Sequence, residues 1–375
     1  MEAVKTPVHV PFVDLKAQYT AIKPEIDAAI AAVIGQTAFV GGHFVKSFDE
    51  TFAAYCGAGH CAGVANGTDA IAIALMALGV GRGDEVIVPA NSFIATSEAV
   101  TMTGAQVVFA DIDPRTHNID VAQIRAKITR RTKAIVPVHL YGQPADMDPI
   151  RALADRHALR IVGDAAQAHG ALYKGRPVAA LADMTCFSFY PGKNLGAYGD
   201  AGAIVTDNPA WAAKARMLAN HGRCAKYDHD LEGVNSRLDG LQAAILSAKL
   251  PHLEAWTDAR RAHAYRYNAL LEGSGVVTPG ELEGVRAVYH LYVVRIPGGR
   301  RDAAQVALKQ AGIETGIHYP IALPYLNAYR RLGHAEADFP QALCASREIL
   351  SLPMFAEMSD AQVEHVVARL REAVA

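Results

Sequence analysis

Three stretches of this chain carry residues whose types could do chemistry together. Lys193 stands in DMTCFSFYPGKNLGAYGDAGAIVT, Asp183 to Thr206, among aromatics, glycines and hydroxyls and with no other positive charge nearby. A lysine on a half-buried loop loses hydration and its pKa falls, and the neutral amine is a nucleophile for a carbonyl carbon. Asp164 directly follows the apolar run Arg160-Ile-Val-Gly163, so its carboxylate ends a strand and needs a partner, because burying an unpaired charge is costly. Gln167 and His169 follow in AAQAHG. Asn66-Gly67-Thr68-Asp69 closes another strand-like run and opens a helical one, where the free N–H groups of a helix N-terminus could hold an anion such as phosphate. Each stretch also has a plain structural reading. Thr68 or Asp69 could cap a turn, Asp164 a helix; Lys193 could be a surface-loop lysine, and His169 a satisfied interior histidine.

The elements that must position these residues are legible around them. From about residue 60 to 206 the runs HCAGVA, EVIVPA, QVVFADI, KAIVPVHL, RIVGDAA, TCFSFY and GAIVT read as strands. Segments with apolar residues at i, i+3, i+4 spacing lie between them: TDAIAIALMALG, SFIATSEAVTMTG, DVAQIRAKI and MDPIRALADRHA. This alternation predicts βαβ units and a mainly parallel sheet covered on both faces, and ligands bind such sheets beyond the carboxyl ends of the strands. Amphipathic patterns near Ala21–Ile34 and His43–Tyr55 precede the sheet. A helical stretch at about Leu238–Leu271, interrupted at Pro251, follows it. The chain then changes to an α+β character, with helices expected at Asp302–Ala311 and Asp360–Ala373.

Bulk properties narrow the function classes. A length of 375 residues favours two domains. The formal net charge of -2 gives no nucleic-acid footprint. Five scattered cysteines without CxxC spacing argue against a disulfide framework or a metal site and for a reducing, cytoplasmic setting. The N-terminus has no signal-peptide pattern, and the longest apolar stretch, Ala70 to Val80, is too short to span a membrane.

Taken together, a helix N-terminus, a strand-end aspartate and a nucleophilic lysine are what pyridoxal 5'-phosphate requires for its phosphate, its pyridinium nitrogen and its aldehyde, which forms a Schiff base with lysine. NGTDA, NSFIATSEAV, DAAQAHGA, SFYPGKNLGAYGDAGA, HG, GVNSRLDGLQAA and GIHYP occur in that order. With them the chain, from VPFVDL to LSLPM, resembles the DegT/DnrJ/StrS-type sugar aminotransferases. The resemblance implies an α/β, aspartate aminotransferase-like fold of type I, with a mainly parallel seven-stranded sheet flanked by helices. It sets a large cofactor-binding domain at residues 1–255, including an N-terminal helical segment, and a small α+β domain at 256–375. Lys193 would hold the cofactor, and Gly67 and Thr68 its phosphate through backbone N–H groups, with the Ser188 hydroxyl adding a hydrogen bond. Phe93 would stack on the ring, Asp164 would keep its nitrogen protonated, and Gln167 would bond its phenolic oxygen. Asn235 would reach the phosphate from a partner subunit, which makes a homodimer with composite active sites the smallest working unit.

The same resemblance points to L-glutamate as amino donor, to pyridoxamine 5'-phosphate as the form between the two half-reactions, and to a nucleotide-linked ketosugar as acceptor. SFYPGKNLGAYGDAGA is similar to members acting on dTDP-linked 3-keto-6-deoxyhexoses in deoxyaminosugar biosynthesis; a 4-ketosugar aminotransferase and a non-catalytic, cofactor-binding regulator are the alternatives. His318 and Tyr319 of GIHYP and Arg223 of the HGR loop are expected at the sugar nucleotide, since an arginine fork suits a diphosphate. Tyr190 and Phe12 are expected as pocket walls. A nicotinamide-dependent oxidoreductase would need GxGxxG after the first strand, and the sequence has none there. No helix pair with a basic face suggests DNA binding.

Overall fold

The computed structural model describes residues 9–375. All seven strand-like runs join one sheet, in the order His60–Val64, Gly202–Thr206, Met184–Ser188, Arg160–Asp164, Thr132–Ile135, Glu85–Pro89, Gln106–Ala110. Gly202–Thr206 is antiparallel to both of its neighbours, and the other neighbouring strands pair in parallel.

Burial on both faces explains why these runs are apolar throughout. Val86, Val88, Val136, Val162 and Ile204 enter one core with the helices Gly67–Ala77, Ala95–Met102 and Pro209–Ala219. Their neighbours Ile87, Ile135, Ile161 and Val205 enter the other, under Gly42–Tyr55, Met147–His157 and Gly240–Lys249. The period-two alternation of a strand therefore assigns every apolar residue to one layer or the other. Phe52 anchors the second layer edge-on to Phe187 and Phe189, with centroids 5.1 Å from each.

Pro251 interrupts the long helical stretch as expected. The helix Gly240–Lys249 gives way to a 3-10 turn at Leu250–His252, and Leu253–Leu271 resumes. The resumed helix joins two cores, because Leu253 packs under the sheet while Ala264, Tyr267 and Leu271 pack in a C-terminal core. There Tyr267 stacks on Tyr292 at 4.7 Å, and the helices Arg301–Gln310 and Asp360–Val374 cover the antiparallel pair Tyr292–Arg295 and Ile349–Leu352. We propose the division 1–255 and 256–375 on this basis, with one departure. Val10 exchanges backbone hydrogen bonds with Gly312 and Glu314, both 3.0 Å, so the first described residues pack with the C-terminal core. Two small sheets, the hairpin Arg223–Ala225 with Asp228–His229 and a three-stranded patch at Leu172–Tyr173, Arg176–Pro177 and Val285–Arg286, have strands too short to leave a sequence pattern. No described helix is long and apolar enough to cross a membrane.

Candidate active site

One end of the sheet gathers the three stretches. Gly202 pairs with both Val64 and Ser188, and Asp164 pairs with Cys186 on the next strand. The carboxyl ends of three strands thus face the same side as the start of the antiparallel one. After Val64 the chain must cross this end to begin its helix, and two missing side chains allow the crossing. A Cβ on Gly202 would stand 2.4 Å from the Asn66 carbonyl oxygen, and one on Gly67 would stand 2.6 Å from Ser188 Cβ.

The helix that starts at Gly67 is capped by Asn66, whose Oδ1 accepts from the Asp69 amide at 2.8 Å. The cap is therefore two residues before Thr68 and three before Asp69, the two candidates the sequence offered. Asp69 and Ala70 amides are satisfied by Asn66, while the Gly67 and Thr68 N–H groups find no acceptor among the described residues. They lie at the positive end of the helix dipole, and both residues line the same cleft as Ser188.

Asp164 is 5% exposed, and its carboxylate accepts from the Thr96 hydroxyl at 2.8 Å and the Ala166 amide at 3.1 Å. Burial pushes this carboxyl above its ordinary range, with the Thr96 bond, the Ala166 bond and the Lys193 charge opposing the rise. Ser92 backs Thr96 at 2.8 Å. This hydroxyl pair, four residues apart in NSFIATSEAV, was missed in the sequence although its helical spacing was a usable signal.

Lys193 sits on a loop fastened from several sides. Its own amide donates to the Tyr190 carbonyl at 2.8 Å and Ala197 to Phe189 at 2.8 Å. The helix Gly240–Lys249 adds two bonds, Gln242 Oε1 accepting from the Tyr198 amide and the buried Lys249 ammonium donating to the Gly196 carbonyl, each 2.8 Å. Burial pushes the Lys193 amine down to about 8, and the negative charge of Asp164 works against that fall.

A cleft of about 680 Å³ lies between these groups. Phe12, Phe93, Tyr190, His318 and Tyr319 all line it, as do Gly67, Thr68, Gln167 and Ser188. Gln167 is held at both ends, its Oε1 accepting from the Tyr141 amide at 2.6 Å and its Nε2 donating to the Tyr319 hydroxyl at 3.3 Å. Tyr141 adopts φ 60°, a left-handed conformation costly for a bulky residue, and so turns its amide to Gln167 while its hydroxyl donates to the His318 carbonyl. Phe12 stacks on the His318 ring at 5.7 Å, and burial holds that imidazole down to about 4. Phe93 is 54% exposed, with its ring 5.8 Å from Tyr319.

Two expected residues are outside this lining. The Arg223 guanidinium is turned back on its own hairpin, donating to the carbonyls of Ala225 at 2.9 Å and Lys226 at 2.7 Å. Asn235 is exposed, and its backbone pairs with Asn220. His169 is fully buried beside Phe187 and Phe189, yet neither ring nitrogen has a hydrogen-bond partner among the described residues, so it is an interior histidine without being a satisfied one.

The donor set fits pyridoxal 5'-phosphate. Two free amides and a hydroxyl suit a phosphate, a desolvated carboxylate with no ion-pair partner among the described residues suits a pyridinium, and a partly neutral amine suits an aldehyde. In cofactor-free protein, acylation of Lys193 should therefore follow a midpoint of about 8. Asp164→Asn should lower that midpoint, because the lost negative charge had favoured the ammonium form. Peptide mapping of the labelled lysine against pH checks both; a midpoint of about 10.4, the solvated value, would show that the amine is not desolvated.

Comparisons with known proteins agree with this geometry. A family model described as the DegT/DnrJ/EryC1/StrS aminotransferase family matches residues 20–371. The chain is 48% identical to a "pleiotropic regulatory protein" of Geobacillus stearothermophilus, over 97% of this chain and 98% of that one. It is 45% identical to the dTDP-3-amino-3,4,6-trideoxy-alpha-D-glucose transaminase of Streptomyces venezuelae, over 97% of this chain and 96% of that one. The crystal structure of S. venezuelae DesV in complex with a ketimine intermediate superposes with a TM-score of 0.95, at 45% identity and with 98% of each chain covered. The chain belongs to the DegT/DnrJ/EryC1/StrS aminotransferase family, whose members use pyridoxal phosphate.

Proposed function

We propose that this protein transfers an amino group from L-glutamate to a nucleotide-linked ketosugar, in the first instance a dTDP-linked 3-keto-6-deoxyhexose. The observation that carries the reading is the convergence of Lys193, Asp164 and the Gly67 helix N-terminus on one cleft. When bound, the cofactor supplies an electron sink for the charge left at the donor's α-carbon. The protein does the rest. Gly67 and Thr68 amides and the Ser188 hydroxyl would anchor the phosphate, Asp164 would hold the ring nitrogen in its protonated form, Gln167 would bond the phenolic oxygen and Phe93 would stack on the ring. The Lys193 amine, poised between its two protonation states, takes the proton from the donor α-carbon.

The 45% identical transaminase supports the 3-keto acceptor, as does the YPGKNLGAYGD stretch. A 48% identical relative named as a regulatory protein keeps a non-catalytic reading in view. A visible cofactor band bleached by glutamate separates the two, because a regulator without turnover would keep its colour. Five free cysteines favour a reducing compartment, and we place the protein in the cytoplasm.

Lys193 is the only lysine or arginine among the described residues that line the cleft, although a diphosphate and two donor carboxylates call for cations. The exposed hairpin with Arg223 and the exposed Asn235 are candidates to supply the missing contacts to a second copy. Half-exposed Phe39 and Val40, 50% and 58%, which pair with Gly240 and Asp239, would be covered in an isologous homodimer.

Three outcomes are expected. Asp164→Asn should retain cofactor but lose at least about tenfold in kcat, about 1.4 kcal/mol of transition-state stabilisation; an unchanged kcat would reduce Asp164 to a cap. In a panel of dTDP- and UDP-linked 3-keto and 4-keto sugars assayed under matched conditions, the dTDP-linked 3-keto compound should be aminated fastest, and faster turnover of a 4-keto compound would overturn that choice. Finally, Lys193→Ala and Asn235→Asp chains, each inactive or impaired alone, should regain up to half of their sites in purified heterodimers. Heterodimers no more active than their parents would rule out a composite site.

A further inference from the structure

His290 lines the cleft, and the function described above gives it no task. Its ring Nδ1 lies 3.2 Å from Asn194 Oδ1. Asn194 is 2% exposed, and its Nδ2 donates to the Val288 carbonyl at 3.1 Å. A carbonyl oxygen only accepts, so this bond decides which end of the amide meets His290: the oxygen, also an acceptor. The imidazole must then carry its hydrogen on Nδ1. Burial, followed by the positive charges of Lys193 and Arg260, keeps the ring well below its ordinary range and hence neutral. A neutral ring with hydrogen on Nδ1 leaves a lone pair on Nε2, and that nitrogen has no protein partner among the described residues.

The placement is rigid. Arg260, 5% exposed, donates to the carbonyls of Tyr289 at 3.3 Å and His290 at 3.4 Å, and the Leu291 amide donates to Tyr141 at 3.3 Å. Asn194 is the residue after Lys193, so one loop fixes both the amine and the imidazole. A fixed acceptor of this kind repels a carboxylate, which disfavours the donor's acid groups, and it suits a hydroxyl hydrogen.

We propose that His290 is a binding and specificity residue for the acceptor, its Nε2 receiving the hydrogen of a sugar hydroxyl near the carbonyl that is aminated. This rests on the ketosugar reading, and its test keeps the two apart. In holoenzyme labelled with nitrogen-15 histidine, the His290 ring, assigned by its disappearance in His290→Gln, should show a protonated Nδ1 and a bare Nε2. His290→Leu should lower kcat/KM for the ketosugar about tenfold, the scale of one lost hydrogen bond, and slow glutamate bleaching of the cofactor band less than about threefold. His290→Gln, whose amide can return an oxygen to the same place, should recover most of the loss. Among acceptor analogues lacking one hydroxyl at a time, one should erase the difference between parent and His290→Leu. A hydrogen found on Nε2, or a His290→Leu loss equal in the two half-reactions, would overturn the role of His290. A parent enzyme that aminates no nucleotide ketosugar would instead overturn the function from which the acceptor was taken.

Discussion

Desolvation at one end of the sheet is the constraint on which the rest of the site depends. It drives the Lys193 amine and the Asp164 carboxyl in opposite directions on the pH scale, and in both cases toward neutrality. Each group's charge partly restores the other's, yet no ion pair within 4 Å forms between them. The result is a nucleophile close to its neutral form and a carboxylate whose best remaining partner is a cation brought in by a ligand. A direct Lys193–Asp164 salt bridge would have stabilised both charges and removed both properties. Separation within a shared low-dielectric region keeps them available.

That separation has to be held mechanically. Lys193 lies in a loop, and loops are the mobile parts of most folds. Here the loop is tied at Gly196 by Lys249, at Tyr198 by Gln242 and at Asn194 by the Val288 carbonyl. Lys249 is fully buried with its ammonium 4.4 Å from the Tyr198 ring centroid, so a carbonyl and an aromatic face do the work that a carboxylate would do elsewhere. On the opposite wall the distance is set by absence, since the Gly67 helix can approach Ser188 only because neither Gly67 nor Gly202 carries a Cβ.

These devices explain what the sequence disclosed. Strands buried on both faces read as unbroken apolar runs, so all seven were visible, and residues placed directly at their ends, Asp164 and Gly67, were visible with them. Lys193 was conspicuous because no other cation shares its loop. What stayed hidden depends on contacts between distant segments. His290 meets Asn194 across 96 positions, and Tyr141 reaches the His318 carbonyl across 177. Neither neighbour can be guessed from local spacing. The assignment of Asn66 as cap was hidden differently, because Asn66, Thr68 and Asp69 are all good capping residues and only the backbone decides among them. Asn235 was legible only through family resemblance, and on a single chain neither it nor Arg223 lines the cleft they were expected to serve.

The charge balance of the cleft follows from the same logic. Its described lining offers one lysine, two aspartates, neutral imidazoles and a helix N-terminus equivalent to about half a positive charge. A site that must attract a phosphate while keeping its own lysine poised between its two protonation states cannot place more cations close by, because each would push the Lys193 amine down further and leave it unable to hold a proton. On the function proposed above, a polyanionic substrate would be met at a distance from Lys193, by groups of a second copy. An exposed hairpin bearing Arg223, Lys226 and His229, outside the described lining of the cleft on its own chain, is consistent with that arrangement. Burial thus sets the chemistry at the cleft's floor.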